Sequence, residues 1–343
     1  AQAARAEAAA LRTQTSADGD GLTLTPRLPS RLVRIADGYV AIDTIAADGR
    51  SVSGRVLVAP VSETADGASI LSLTIPAADR RFSDAQIAWT ETLAARGVVE
   101  QRFNTWLFTN ADSREPELAG VLGAMIGTIL TITVTMLLAM PIGVFTAIYL
   151  EEFAPKNRLT DLIEVNINNL AAVPSIVYGL LGLALFINWM HLPRSSPLVG
   201  GLVLALMALP TIIIATRSSL KAVPPSIREA ALAMGASRTQ TVFQHVLPLA
   251  LPGVMTGAII SLAHALGETA PLLLIGMVSF IPGIASSITE PTGALPSLIY
   301  IWENASERSF HERSAAAIMV LLAFMIVMNA AAILLRRHFE RRW

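Results

Sequence analysis

The stretch that decides the fold is REAALAMGASRTQTVFQHVLPLALPG, residues 228–253, which is polar and basic although strongly apolar segments flank it on both sides. Gly235 suits the left-handed turn that ends many helices, so it predicts that a first helix ends there and a second follows over about 238–246. Ser226, with Glu229 three residues later, predicts a capping box at the start of the first helix. By itself, this helix–turn–helix is typical both of an ordinary amphipathic loop and of a docking element.

The end of the same stretch carries two Leu-Pro pairs, Leu247-Pro248 and Leu251-Pro252. Because proline interrupts helical hydrogen bonding, these pairs predict the point at which the chain turns back into an apolar segment. The small side chains of Ala230 and Ala231 would let another surface approach the first helix closely.

The composition indicates a membrane protein. Of the 343 residues, 53% are hydrophobic and 15% are charged, and the mean hydropathy is +0.56. A soluble domain usually carries about 25% charged residues. The net charge of -1 argues against a nucleic-acid partner, which would require a basic surface. The chain has no cysteine, which excludes disulfides and thiolate metal sites.

Apolar runs long enough to cross a membrane, which requires about 20 residues, lie in the C-terminal two thirds of the chain. Five candidate spans follow from the sequence, and the first is long enough to be tilted or kinked at Pro141. The pattern predicts a mainly α polytopic helical bundle, with a transmembrane domain over 118–343. The candidate spans are 118–150, 170–189, 198–214, 252–277 and 315–335.

Basic residues between the spans set the orientation, because Lys and Arg concentrate in cytoplasmic loops. The loop after the first span, the polar segment 217–251 and the C-terminal tail then share one side, which we predict to be the cytoplasm. Residues 1–117 and the loop 277–314 then lie outside. An outer N-terminal domain must be translocated, so we expect a sixth helix or a cleaved signal peptide before Ala1. The basic residues are Lys156, Arg158, Arg217, Lys221, Arg228, Arg238, Arg336, Arg337, Arg341 and Arg342.

The N-terminal region, residues 1–117, is predicted to be an α+β domain that is rich in strands. Asp-Gly pairs at 37–38, 48–49 and 66–67 stand between apolar-rich runs, which is a strong hairpin signal. Residues 84–103 have a more helical pattern. The sequence of this region contains no metal cluster and no nucleophile–base grouping, which favours a structural or docking domain.

The central motif adds a family resemblance. Glu229-Ala230-Ala231, Gly235 and Leu247-Pro248 have the spacing that resembles the cytoplasmic signature of ABC-importer permeases. His245 departs from it, because that slot is normally apolar. The resemblance implies a coupling helix that docks into a cleft on an ATPase subunit. The coupling residues on this reading are Arg228, Glu229, Ala230, Ala231, Gly235, Leu247 and Pro248.

Two intramembrane segments, VPSIVYGLLGLALF at 173–186 and ALGETAPLLLIG at 265–276, resemble the second permease subunit of the bacterial phosphate ABC importer. FTNADSREPELAG at 108–120 resembles the approach to the first span in members with an enlarged outer domain. The resemblance implies the type I ABC-importer permease fold with six spans. It also implies a heterodimer with a second permease, two copies of an ATPase and an extracytoplasmic phosphate-binding protein, in contact with membrane lipid in the bacterial inner membrane.

The third span departs from that family. Many members end it with Ile-Arg-Thr-Thr-Glu-Glu, whereas Ile213-Ile214-Ala215-Thr216-Arg217-Ser218 stands here. The role of the family arginine therefore does not pass to Arg217 by position.

The chain contains no phosphate loop of the form G-x-x-x-x-G-K-[ST]. We therefore expect no catalytic residue, no metal site and no cofactor in this subunit, with ATP and Mg bound by the partner ATPase. An importer that moves an anion uphill then needs a separate motor, which agrees with a docking helix.

Polar residues inside apolar spans are candidates for function, because a buried ionisable group is costly unless it is paired. Glu268 is predicted within an apolar helix, with His264 one turn earlier on the same face. A bare carboxylate repels phosphate, so a structural or gating role is preferred over substrate contact or a tolerated buried acid. The predicted path or gating residues are Ser175, Tyr178, His264, Glu268 and Thr269, and the predicted hinges are Pro174 and Pro271. Ser175 and Thr269 are alternatively bonded to their own helix backbone.

Three alternatives remain at this point. The chain is also compatible with a permease for molybdate, sulfate or an amino acid, since the docking motif does not distinguish solutes. A membrane-anchored sensor with an outer ligand-binding domain is a second alternative, although its output domain would exceed the segment 217–251. A membrane enzyme is a third, and it would need convergent catalytic groups.

Overall fold

The computed structural model describes residues 22–23, 29–35, 37–45, 52–59, 69–80, 82–100, 102–278 and 280–339. The chain forms two compact units, Ala1–Phe103 and Asn104–Trp343. The first contains a sheet and a helix, and the second contains the long apolar helices.

The N-terminal unit is built on an antiparallel sheet. The strands are β1 Leu22–Thr23, β2 Pro29–Ile35, β3 Gly38–Ile45, β4 Val52–Val58 and β5 Ser69–Pro76. Their order is β1-β3-β2-β5, and β4 also pairs with β3. The Asp-Gly pair at 37–38 lies in the β2–β3 hairpin, as predicted, where Ile35 pairs with Gly38. The pairs at 48–49 and 66–67 lie outside the described residues.

Helix α1, Asp84–Ala95, begins at Ser83, which forms a capping box with Gln86. The predicted helix over 84–103 is too long. Gly97 has a φ of 71°, a left-handed conformation that ends the helix. Ala88 of this helix is buried with Leu32, Tyr39 and Ala41 of the sheet, so one face of the sheet has a small apolar core.

The second unit is mainly helical. Its helices are α2 Trp106–Thr109, α3 Leu122–Ile148, α4 Arg158–Ala171, α5 Ser175–Gly182, α6 Pro197–Lys221, α7 Pro225–Ala233, α8 Arg238–Gln240, α9 Leu247–Gly267, α10 Ala270–Leu274, α11 Leu295–Glu303 and α12 Ser309–Phe339. Wider π-helical turns extend α3 through Tyr149–Phe153, extend α5 through Leu183–Trp189 and join α8 to α9 through Thr241–Val246.

Within the part of the chain that the structure describes, four helices are long and apolar enough to cross a membrane, namely Leu122–Phe153, Pro197–Lys221, Arg238–Gly267 and Ser309–Arg337. A fifth candidate is a broken pair, Arg158–Ala171 and Ser175–Trp189, which bends by 100°. The predicted second span over 170–189 therefore covers only the second helix of this pair, Ser175–Trp189. Pro174 precedes α5 with an extended backbone, and the bend lies at this proline.

The fourth predicted span, 252–277, has both ends in the wrong place. The helix begins at Arg238 and runs without a break past Pro248, because the π turn Thr241–Val246 accommodates the interruption that this proline introduces. It ends at Gly267, since Pro271 has no N–H to donate to the Gly267 carbonyl. The expected separate helix over 238–246 is thus the first part of the span.

The core of the second unit lies among α3, α6 and α9, the helices that pack together most extensively. Its fully buried side chains include Val199, Val203, Leu204 and Leu266, and Leu272 of α10 joins them. In contrast, α12 leaves much of its apolar surface uncovered, with Met319 and Ile326 both exposed. A helix with an apolar outer surface is suited to contact with lipid or with another membrane subunit.

Candidate functional site

The Glu-Ala-Ala-to-Gly motif at 229–235 lies in the short helix α7 and the turn after it. The predicted capping box at Ser226 is wrong, because Pro224 occupies the cap position and no side chain caps the helix. Pro225 has the fixed φ that starts a helix, so Ser226 already lies in the first turn. The capping box instead forms at the next helix, where Ser237 and Gln240 bond reciprocally.

Gly235 ends α7 as predicted. Its φ is 88°, and its N–H donates to the carbonyl of Leu232 at 2.9 Å. The N–H of Ala236 donates to the carbonyl of Ala231 at 3.1 Å. These two bonds define a Schellman turn, which a residue with a Cβ adopts only with strain. The glycine therefore fixes the direction in which the chain leaves the helix.

The outer face of this turn is exposed and apolar. Met234 is 88% exposed and Leu232 is 50% exposed, and Glu229 and Ala230 are exposed beside them. We name these four residues and Ala233 the coupling tip. Ala231 is buried, and α7 packs against the π turn Thr241–Val246, so the two alanines of the motif face different surroundings.

The last part of the motif packs inside the subunit. Leu247 packs against a buried cluster that includes Ile148, Leu220 and Val246, and Pro248 is half-buried. His245, at the slot that is normally apolar, is exposed to solvent. The apolar packing therefore does not depend on that slot.

Arg228 is turned inward, toward the end of α3. Its Nη2 lies 2.6 Å from Glu152 Oε1, and its Nε lies 3.2 and 3.3 Å from the two oxygens of the same carboxylate. Its remaining N–H groups donate to the carbonyls of Val223 at 2.8 Å and Leu220 at 2.9 Å. The Glu152 side chain is only 10% exposed. A forked arginine–carboxylate pair of this kind has a defined geometry.

The neighbouring acid, Glu151, joins a second ion-pair group. Arg217 donates from Nε to Glu151 at 3.3 Å and from Nη2 to Glu164 of α4 at 2.5 Å. Lys221 lies 3.6 Å from Glu151. Arg217, at the end of the third span where this chain departs from the family pattern, is thus paired with two acids inside the subunit.

His264 and Glu268 are in contact, as their spacing predicts. His264 Nε2 and Glu268 Oε1 are 2.9 Å apart, with the histidine side chain 62% exposed and the acid 15% exposed. Glu268 is not within a helix, however. Its backbone is extended, with φ -74° and ψ 127°, and it follows the last residue of α9. The pair therefore lies at the break between α9 and α10.

The predicted hinge Pro174 lies at the break before α5, and the predicted hinge Pro271 lies just after the break before α10. Helices α5 and α10 pack against each other. A Cβ added to Gly179 of α5 would stand 2.7 Å from Cα of Pro271, so the two backbones approach closely. The Tyr178 hydroxyl donates to the Leu170 carbonyl at 2.8 Å and so connects the arms of the bent pair across Pro174. Ser175 begins α5, and Thr269 precedes α10 without a side-chain cap bond.

A junction of small and hydroxyl residues at the start of α3 was missed by the sequence analysis. Thr128 accepts from the Leu295 N–H at 2.8 Å, and Thr292 donates from its hydroxyl to the Gly123 carbonyl at 3.3 Å. A Cβ on Gly127 would stand 2.1 Å from the Gly293 carbonyl oxygen. The only local signal was the pair of glycines at 123 and 127, which marks close packing without naming its partner.

Among the described residues, no group of three or more His, Asp or Glu side chains is placed to hold a metal ion. The features that the described residues offer for function are ion pairs, exposed apolar side chains and breaks between helices.

Comparison with known proteins places these features in a family. Residues 139–343 match the family described as binding-protein-dependent transport system inner membrane component. The phosphate transport system permease protein PstA 1 of Mycobacterium tuberculosis is 32% identical over 255 residues, 74% of this chain and 77% of that protein. The permease protein PstA of Haemophilus influenzae is 28% identical over 247 residues, 72% of this chain and 86% of that protein.

Solved structures share the fold. A bacterial ABC transporter that imports the acidic polysaccharide alginate matches with a TM-score of 0.51 and 13% identity, covering 74% of this chain and 90% of that one. An inward-facing MetNI methionine ABC transporter matches with a TM-score of 0.50 and 18% identity, covering 69% and 98%. At these identities the likeness concerns the fold alone.

Proposed function

Because the chain belongs to the family of binding-protein-dependent transport system inner membrane components, we propose that it is a permease subunit of an ATP-driven phosphate importer. The observation that carries the proposal is the 32% identity to a phosphate transport permease over 74% of the chain. The relatives are transport permeases, so we assign ATP and Mg binding to a separate ATPase and no catalytic step to this chain.

The coupling tip is the proposed contact with the ATPase. Met234 and Leu232 form a small exposed apolar surface beside the turn at Gly235. Burial of this surface in a complementary cleft is more favourable than its exposure to water. The further partners are a second permease and an extracytoplasmic phosphate-binding protein. The uncovered apolar face of α12 supports contact with membrane lipid or the second permease.

We place the chain in the bacterial inner membrane as a multi-pass protein, with the coupling tip and the C-terminus in the cytoplasm. Residues 1–117 then lie outside. The basic residues at the end of α6 and in the segment after it support this orientation, although Arg217 and Arg228 are already paired with acids inside the subunit.

The proposed path runs beside the breaks, near Ser175, Tyr178, His264, Glu268 and Thr269. A free carboxylate would repel phosphate, so we assign gating to the His264–Glu268 pair and hinge roles to Pro174 and Pro271. The pairing distance of 2.9 Å and the helix break at Glu268 support this assignment.

Uptake of radiolabelled phosphate into proteoliposomes tests the function. The chain is assembled with its partner permease, ATPase and binding protein, and phosphate is offered against excess sulfate and molybdate. We expect ATP-dependent uptake that survives both competitors. Uptake of a different solute would retain the permease and reject phosphate. Absence of any ATP-dependent uptake by the intact complex would reject both.

The gating assignment is tested in the same vesicles with Glu268→Gln and His264→Ala. Each should slow uptake, because each removes one partner of the pair at the break. Wild-type rates in both variants would reject the path assignment.

The docking assignment is tested with Glu229→Lys, which reverses the charge on the coupling tip. We expect the ATPase to be lost from the purified complex while the subunit stays inserted. The matched control is Asp161→Lys, since Asp161 is an exposed acid on α4. Normal ATPase retention and uptake with Glu229→Lys would contradict the docking role.

A further inference from the structure

Arg228 belongs to the coupling segment 217–251 by sequence, yet its guanidinium is directed at Glu152 and at two backbone carbonyls of the same subunit. The Arg228 side chain is 24% exposed and its guanidinium faces Glu152, while Glu229, the next residue, is exposed. A side chain that faces the interior of the subunit is poorly placed to contact a separate protein.

The contacts of Arg228 join three elements. One edge of the guanidinium forms the forked pair with Glu152, in the π turn that ends α3. Other N–H groups donate to the carbonyl of Leu220, in the last turn of α6, and to that of Val223, in the linker after it. The last carbonyls of a helix lack partners within it and carry partial negative charge, so a cation there is favourable.

Without Arg228, the connection of α7 to the bundle would be weaker. The chain links α7 to α6 through 222–224, and Ile227 of α7 packs on the apolar cluster around Ile148 and Leu220. Such apolar packing lacks the fixed geometry of an ion pair. A short linker of this kind can bend when a helix is pushed. The forked pair instead makes movement of α7 displace the end of α3, because its geometry resists rotation.

We infer that Arg228 and Glu152 are positioning residues that transmit movement of α7 to α3 and α6, and that Arg228 does not dock on the ATPase. The inference rests on the proposed function, since it presupposes an ATPase that moves α7.

The two adjacent acids of the π turn Tyr149–Phe153, Glu151 and Glu152, contact different helices, which agrees with this inference. Glu152 contacts α7 through Arg228, whereas Glu151 contacts α6 through Arg217 and Lys221. Arg217 continues the chain of contacts to Glu164 of α4. Displacement of the π turn by α7 would therefore reach α4 and, through the bend, α5.

The test uses the full complex in proteoliposomes and measures phosphate uptake per ATP hydrolysed. The variants are Glu152→Gln, Arg228→Gln and the double substitution. The matched control is Lys156→Gln, which removes a positive charge from an exposed residue in the loop after the same turn. Retention of the ATPase during purification and the thermal midpoint are measured for every variant.

In each single variant we expect uptake per ATP to fall about five- to tenfold, the size typical of a residue on a coupling route. The double variant should be no worse than either single variant, because the two residues act as one unit. The ATPase should copurify with all of them, and the control should match the wild type.

Three results would overturn the inference. They are an unchanged ratio of uptake to ATP hydrolysis, losses that multiply in the double variant, or loss of the ATPase with Arg228→Gln but not with Glu152→Gln. If the glutamine variants do not insert, Arg228→Lys carries the same test, since lysine keeps the charge but cannot form the forked contact. If the wild-type complex itself takes up no phosphate, it is the proposed function that fails.

Discussion

The two ends of α3 are held by different kinds of contact. At 1.5 Å per residue, the helix places its ends about 40 Å apart. At the first end, Gly127 and Thr128 fit against the segment 292–295 through close approach and neutral hydrogen bonds. At the other end, Glu151 and Glu152 form ion pairs with Arg217 and Arg228. One end depends on shape, and the other depends on charge and on the fork geometry of arginine.

This difference indicates where each end tolerates change. The neutral junction has no empty space for a larger side chain, so adding one carbon atom there should destabilise the fold. An ion-paired junction should accept changes of volume but fail when a partner is removed, because a partly buried charge is then left unpaired.

Gly127→Ala should give the largest loss, because its Cβ would stand 2.1 Å from the Gly293 carbonyl oxygen. Overpacking of this kind costs about 3 kcal/mol, and more where backbone must move. Thermal unfolding of the purified chain in detergent measures it. Gly293→Ala is the control at the same junction, since its Cβ meets nothing within 4 Å. Equal midpoints for the two variants would contradict a shape-determined end.

Gly235→Val should have the next largest effect. It should act through α7, the helix whose Arg228 contacts the charged end of α3. A β-branched residue at a φ of 88° costs about 1–3 kcal/mol, so the turn should rearrange and displace the coupling tip. We expect loss of ATPase copurification with little loss of membrane insertion. Val substituted for Ala236, the next residue along, tests whether added volume alone has this effect. Retention of the ATPase by Gly235→Val would show that the turn direction does not matter.

Tyr178→Phe removes one hydrogen bond from the bend between α4 and α5, the one to the Leu170 carbonyl. The loss of a single buried hydrogen bond costs about 1 kcal/mol. A lower thermal midpoint than that of Tyr300→Phe, whose ring is exposed, would agree. The same midpoint in both would show that the bend does not depend on this bond.

Asp112→Asn should have the smallest effect, and it should be stabilising. Burial raises the pKa of Asp112, an effect partly offset by hydrogen bonds from Trp302 and from the Ser113 backbone. Because the folded pKa lies above the unfolded value, the charged form is disfavoured by folding, and stability falls as pH rises through that interval. The asparagine keeps an acceptor for the Trp302 N–H at 3.1 Å without the charge.

The measurement is the thermal midpoint of Asp112→Asn against the wild type at neutral pH and at a pH below the ordinary range of aspartate. The variant should be more stable at neutral pH, and the difference should vanish in acid. A difference of the same size at both pH values would mean that the charge is not the cause.

Several local features were predictable because they depend on neighbours in the sequence. The left-handed turn at Gly235 follows from glycine stereochemistry. The contact between His264 and Glu268 was predicted from their four-residue spacing, although Glu268 lies just beyond the helix. The existence of apolar spans also follows from composition. Their limits were less accurate at proline, as at Pro174 and Pro248, since a proline can start a helix, bend it or be absorbed by a wider turn.

The family signature, the apolar helices and the turn that presents the coupling tip can be read from the sequence alone, since each depends on residues that are close together along the chain. The direction of Arg228, whose partner Glu152 is 76 residues away, and the fit of Gly127 against Gly293 are seen only in the folded structure. No local pattern identifies which acid an arginine will meet or which carbonyl a glycine will admit. Those contacts exist only after the helices have packed.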